Sequence, residues 1–284
     1  MSDVYKRQPN KHDCEAAHGA PLGPEETKLT KENLGWPLEP TFYIPDEVKQ
    51  EFQKTISTGK EYESDWKKIY DSYNSENNKL ASEFESIIHG NLPDDWDKNL
   101  PTFNKDESLA TRQASGQTLN ALADKIPAII GGSADLMDST NVRIKKSVDS
   151  LPDAPHGRNI HFGVREHAMG AIVYGMAVYG GVIPFGSTFL IFSDYMRGSV
   201  RLASIMGMRA IFVYTHDSIG VGEDGPTHQP IEQVANLRAV PNLTVIRPGD
   251  AHETVVAWKT ALQITSGPTA VSYTHLTLPT SDLV

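Results

Sequence analysis

The chain has 284 residues, 39% of them hydrophobic, enough to bury one full core with an accessory segment. Its formal charge of -10 argues against a nucleic-acid footprint, and its single cysteine, Cys14, excludes an internal disulfide and a cysteine-based zinc site. The opening MSDVYKRQPNKHD has no apolar stretch between its charges, so it offers neither a secretory signal nor an anchor, and the expected location is the reducing cytoplasm.

In chain order, Pro21, Pro37, Pro40 and Pro45 mark extended segments. Over 61–89, Trp66, Ile69, Tyr70, Tyr73, Leu80, Phe84, Ile87 and Ile88 recur at spacings of three and four among charged and polar residues, which predicts a surface helix packed on one face. LPDDWDKNLPTF (92–103) reads as a further extended linker. From about residue 104 helix and strand alternate. Strands are expected at 127–131, 159–163, 182–186, 209–215, 243–247 and 268–272, and helices at 108–124, 165–179, 196–207 and 250–265, the last opened by Asp250 and Glu253 in capping-box spacing. Such alternation predicts an α/β fold, a parallel sheet with helices on both faces. Residues 168–193 carry no charge and are long enough to cross a bilayer, but Gly180, Gly181 and Pro184 divide them into a buried helix and a buried strand, so no membrane span is expected.

In open parallel sheets ligands bind beyond the carboxyl ends of the strands. Here those ends are polar: GGSADLMDST (131–140) follows the first strand, VREHAMG (164–170) the second, STFLIFSDY (187–195) the third and HDSIGVGEDGPTHQP (216–230) the fourth. Asp135, Ser139, Glu166, Phe189, Phe192, Tyr195, His216, Asp224 and His228 thereby converge on one rim. Each has an ordinary structural reading, such as helix-dipole compensation for Glu166, but together they define a candidate site. The acidic and histidine-rich loop 216–230 lacks the ligand spacing of a zinc or calcium site and suits a wall that hydrogen-bonds sugar hydroxyls.

GGSADL (131–136), REHAMG (165–170), GSTFLIFSDYMR (186–197) and HDSIGVGEDGPTHQP together resemble the pyrimidine-binding domain of transketolases. HGAPLG (18–23) and KLTKENLGWP (28–37) resemble the end of that family's diphosphate-binding domain. The likeness runs from Pro9 to about Val271, and a deoxyxylulose phosphate synthase would lack both HGAPLG and the 216–230 loop. The resemblance implies transfer of a two-carbon ketol unit from a ketose phosphate to an aldose phosphate with thiamine diphosphate and magnesium, in a cytoplasmic homodimer. The metal's ligands are expected outside these residues, because the family's Gly-Asp-Gly to Asn motif is absent from them.

By the same resemblance Glu166 contacts the aminopyrimidine nitrogen, and Phe189, Phe192 and Tyr195 wall the ring, with Asp135 near the cofactor. Arg112, Ser139 and His216 reach the sugar phosphate, His18 and His228 the reacting carbons and their oxygens, and Asp224 the neighbouring hydroxyl. Glu166, His18 and His228 are the expected catalytic groups. Two departures stand out. Tyr273 follows PTAVS where the family places a phosphate-holding Arg, and Met137-Asp138 precedes Ser139 where the family favours a small residue or Pro.

The expected layout is a diphosphate-domain tail and linker over 9–103, a pyrimidine-binding domain over 104–272, and ends at 1–8 and 273–284 that look foreign to the family and like translated adaptor read-through. Two other readings stay open: a different thiamine enzyme of the same architecture, and a non-catalytic binding module that keeps half the site.

Overall fold

The computed structural model describes residues 8–104, 109–221 and 224–273. The non-native ends expected from the sequence therefore lie almost wholly outside the described residues. The chain divides into two compact units, Met1–Asn77 and Asn78–Val284.

In the first unit, helix α1 (Pro24–Asn33) opens with a proline and with Glu25 and Glu26, as a helix N-terminus favours. Glu26 is buried and accepts hydrogen bonds from the Asn10 backbone N–H at 2.7 Å and from Asn10 Nδ2 at 2.9 Å, closing the loop that carries His18. Both bonds hold its carboxyl below the usual carboxylate range. Helix α2 (Asp46–Glu76) is 31 residues long and buries none of its side chains within this structure. Trp66 and Tyr70, one turn apart, stack at 5.2 Å, and Lys67 pairs with Glu63 at 2.7 Å.

The single helix expected over 61–89 is two helices. Asn77 leaves the helical region at φ -132° and ψ 44°, and α3 (Asn78–Ile88) begins after it, in the second unit. Asparagine's side chain competes for backbone hydrogen bonds, which favours such breaks. Helix α3 is closed by Gly90, φ 71°, two residues past its end, with Asn91 N–H donating to Ser86 O as a left-handed cap requires. Residues 92–103 differ from the extended linker expected of them. They turn back, and Leu92, Trp96 and Leu100, spaced by four, pack on the sheet's core.

The second unit continues through α4 (Thr111–Ala123), β1 (Ile129–Ser133), α5 (Met137–Thr140), β2 (Asn159–His161), α6 (Glu166–Tyr179), β3 (Ile183–Phe189), α7 (Ser193–Ile205), β4 (Ile211–Thr215), α8 (Gln233–Arg238), β5 (Thr244–Ile246), α9 (Ala251–Gln263) and β6 (Thr269–Ser272). The six strands run parallel in the order β2-β1-β3-β4-β6-β5. Alternate residues of β4 face opposite layers: Ile211 and Val213 pack with Leu119 and Leu122 of α4 and Trp258 of α9, while Phe212 and Tyr214 pack with Met169 of α6 and Val200 of α7. Helices thus cover both faces.

The uncharged stretch 168–193 divides as its glycines predict, between α6 and β3, with Gly180 and Gly181 at φ 85° and 75°. Among the described residues no helix is long and apolar enough to cross a membrane. The capping box of α9 forms: the Glu253 N–H donates to Asp250 Oδ1 at 2.7 Å, and Gly249 N–H to Glu253 Oε2 at 2.7 Å.

Candidate functional site

The strand order reverses beside β1: the chain passes from β1 to β2 on one side, then returns to lay β3 on the other. A crevice opens at such a switch point, outside the strands' carboxyl ends. Here Ser133 Oγ, on the last residue of β1, donates to Ser187 O at 2.9 Å and accepts from Leu136 N–H at 3.2 Å. That pins the turn in which Asp135 takes a left-handed φ of 63°. A cleft of about 770 Å³ lies there, lined by Asp135, Leu136, Arg165, Glu166, Phe192 and Tyr195 among others.

Glu166 is the first residue of α6, where a carboxylate meets the positive end of the helix. It is only 7% exposed although it lines an open cleft, and Thr188 Oγ1 of β3 donates to its Oε1 at 3.1 Å. Helix-dipole compensation needs no such burial. The carboxyl is held by a specific donor at the base of an aromatic-walled cavity.

The aromatic wall is continuous. Phe189 and Phe192 stack at 5.8 Å, Tyr195 lies 5.9 Å from Phe192, and the His228 ring meets Phe192 edge-on at 5.3 Å. His216 tilts against Phe189 with centroids 3.7 Å apart. His216 is a buried non-glycine residue at φ 56°, a conformation that costs on the order of 1–3 kcal/mol and persists where surroundings enforce it.

Arg112, from the first turn of α4, donates through Nη1 to Ser139 O at 3.1 Å and meets His216 Nε2 at 3.3 Å. On the other side of the ring, His216 Nδ1 lies 2.8 Å from Thr215 Oγ1. Arg112 Nε is buried without a hydrogen-bond partner, and burial pulls the guanidinium's pKa below its ordinary value. A buried, unsatisfied cationic donor is a place for an anion.

Tyr273 is fully buried in the α4–α9 layer, its phenol pushed up by burial, so the position at which the resemblance led one to expect an arginine offers the rim no cation. Asp138 is exposed at the start of α5, and Ser139 presents its carbonyl, not its hydroxyl, to Arg112. Asp224 is exposed beside residues 222–223, which lie outside the described residues. His18 closes the short 3₁₀ turn Glu15–Ala17 of the first unit. Among the described residues no group of three or more His, Cys, Asp or Glu is placed to hold a metal ion.

Two family descriptions match the chain: transketolase, pyrimidine binding domain, over 107–280, and transketolase, thiamine diphosphate binding domain, over 4–93. The chain belongs to the transketolase family. It is 50% identical to transketolases of Geobacillus stearothermophilus over 273 residues and of Bacillus subtilis over 275 residues, in each case across 96% of this chain and 41% of the relative. Among solved structures, transketolase from Leishmania mexicana superposes with a TM-score of 0.86 at 44% identity over 92% of this chain and 39% of that one. A Pichia stipitis transketolase in complex with sedoheptulose 7-phosphate gives 0.86 at 40% identity, covering 93% and 40%. The chain thus spans about two fifths of the transketolases it matches.

Within this transketolase-family segment the cleft and the aromatic wall both lie inside the pyrimidine-domain match. Sequence reasoning singled out the cleft's Glu166, Asp135, Phe192 and Tyr195, but missed its buried support, Thr188. It also missed the partners of Asp217. Arg247 Nε donates to Asp217 Oδ2 at 2.8 Å and Nη2 to Oδ1 at 3.3 Å, while Ser272 Oγ donates to Oδ2 at 2.9 Å. This pair holds the Arg247 pKa above its ordinary value. It ties the ends of β4, β5 and β6 together at Asp217, the residue after His216.

Proposed function

We propose that the complete protein carrying these residues transfers a two-carbon ketol unit between sugar phosphates, using thiamine diphosphate and magnesium, in a cytoplasmic homodimer. The observation that carries this reading is the buried Glu166 carboxyl, fixed by Thr188 at the base of a cleft walled by Phe192 and Tyr195. A flat heteroaromatic ring fits such a cavity, since it needs apolar and aromatic walls and one directional polar contact. Thiamine diphosphate, when bound, supplies the carbon nucleophile that takes up and hands on the two-carbon unit.

The chain's own residues do the rest. Glu166 holds or shares a proton at the ring nitrogen, and Phe189, Phe192 and Tyr195 keep that contact dry. Arg112 and His216, with the carbonyl of Ser139 orienting the guanidinium, take the substrate phosphate, for which the unsatisfied Arg112 Nε is available. His228, half-buried against Phe192, and His18 serve the reacting oxygens, and Asp224 a hydroxyl. Asp135, in the turn after β1, lies near the cofactor. Residues 9–103 are assigned to the tail of the diphosphate-binding domain and its linker, and 104–272 to the pyrimidine-binding domain.

Two expected results test this reading. The 284-residue chain alone shows no measurable ketol transfer and no tight, magnesium-dependent binding of thiamine diphosphate in titration calorimetry; tight binding by the chain alone would overturn the division of ligands proposed here. In the complete protein, His216→Ala weakens kcat/KM for phosphorylated donors more than for hydroxypyruvate, because a phosphate contact helps only ligands that carry one. Both donors are measured on one variant, so any loss of folded protein cancels. Equal losses would remove His216 from the phosphate site.

A further inference from the structure

Thr188 is fully buried on β3, opposite Tyr214 of β4. The last residue of β1 to pair with β3 is Ser133, which meets Ser187, so Thr188 lies one residue beyond the end of β1. Helix α6 packs along one face of β3, with Met169 and Val173 against Gly186, and Thr188, two residues on, shares that face. Glu166, at the start of α6, meets Thr188 Oγ1 at 3.1 Å. Valine would suit a fully buried strand position better than threonine, unless the hydroxyl has a partner to offset its loss of water. The partner it has is the Glu166 carboxyl.

We infer that Thr188 is the positioning residue for Glu166: it holds Oε1 and confines any proton that Glu166 carries or shares to Oε2. A threonine hydroxyl has one hydrogen. Donated to Oε1, that hydrogen makes Oε1 an acceptor and fixes the rotation of the carboxyl plane, leaving the second oxygen for a ligand in the cleft. The inference rests on the proposed contact of Glu166 with the cofactor ring. It adds that the geometry of this contact is set from β3 and not by α6 alone.

The test uses three variants: Thr188→Val, which keeps the shape and removes the hydroxyl, Thr188→Ser, which keeps the hydroxyl, and Glu166→Gln as reference. In the ligand-free 284-residue chain, difference infrared spectra read the Glu166 carboxylate stretch, identified as the band lost in Glu166→Gln. In the complete protein, isotope exchange at the thiazolium carbon of bound thiamine diphosphate is measured beside the cofactor's dissociation constant. Thr188→Val is expected to shift the band and to slow exchange roughly tenfold or more, the worth of a hydrogen bond to a charged group. Thr188→Ser restores both. If the valine variant does not fold, Thr188→Cys, a weak donor of similar size, carries the same comparison.

A wild-type band and exchange rate in Thr188→Val, with exchange lost in Glu166→Gln, would overturn the positioning role alone. Loss in Thr188→Ser equal to that in Thr188→Val would also overturn it, because the hydroxyl is then not the cause. Wild-type exchange in Glu166→Gln would instead sink the proposed role of Glu166 itself.

Discussion

Replacing Glu166 by Gln in the complete protein is expected to slow proton exchange at the cofactor's thiazolium carbon by about 10²–10⁴-fold, the usual worth of a positioned proton-transfer group. The substitution is nearly isosteric, and its amide oxygen can take the place of Oε1 as acceptor for Thr188, which donates at 3.1 Å. The other amide position then presents N–H to the cleft. An amide donates there but does not release or take up a proton, so binding contacts persist while the proton route is lost. The cofactor's dissociation constant should therefore change far less than the exchange rate, and the melting temperature should stay near that of the unsubstituted protein. Unchanged exchange would reduce Glu166 to a carboxylate that serves the first turn of α6, where the helix dipole alone favours one.

Much of this site was legible because its residues directly follow strands whose composition announces them. The runs over 127–131 and 209–215 are rich in apolar residues, and each is followed by small or polar residues, so strand and rim separate cleanly; the strands begin two residues later than read, at Ile129 and Ile211. The division of 168–193 was legible for a local reason too, since two consecutive glycines at left-handed φ cannot continue a helix without cost. What was lost depends on strand order. Glu166 meets Thr188 because the crossover helix α6 lies on β3, and Asp217 and Arg247 sit at the ends of strands separated by β6. No periodicity in a sequence records which strand lies between two others.

The first hundred residues failed for the opposite reason. Their local signals were present and were outweighed. The apolar spacing skips from Tyr73 to Leu80 across Asn77, still a whole number of turns, and no proline or glycine lies there, so the break between α2 and α3 left only a weak trace. In 92–103 the flanking prolines suggested an extended linker, yet Leu92, Trp96 and Leu100 carried a spacing of four that marks one face, and it is this face that packs on the core. Periodic apolar residues deserve more weight than bordering prolines where both occur.

Replacing Arg247 by Met in the 284-residue chain is expected to cost about 3 kcal/mol of stability, because it leaves the Asp217 carboxylate buried without its counter-ion. The Asp217 side chain is fully buried, whereas Arg247 is 41% exposed, so water can enter from the arginine's side and the loss falls at the lower end of the range for a broken buried pair. Ser272 Oγ still donates at 2.9 Å, but one neutral hydroxyl does not replace two charged donors. Methionine keeps the stem, so lost packing contributes little. The midpoint of thermal unfolding should fall by roughly 10 °C for a unit of this size. Adding Asp217→Asn should recover part of that fall, since an amide is cheaper to bury than an unpaired charge, and the resulting double-mutant cycle reads the coupling directly. The pair ties the ends of β4, β5 and β6 next to His216, whose left-handed backbone has to be enforced by its surroundings. Proton magnetic resonance of the His216 ring should thus change in Arg247→Met and return toward its original position in the double variant. Additive unfolding losses together with an unmoved His216 resonance would show that the pair neither stabilises these strand ends nor holds the histidine between them.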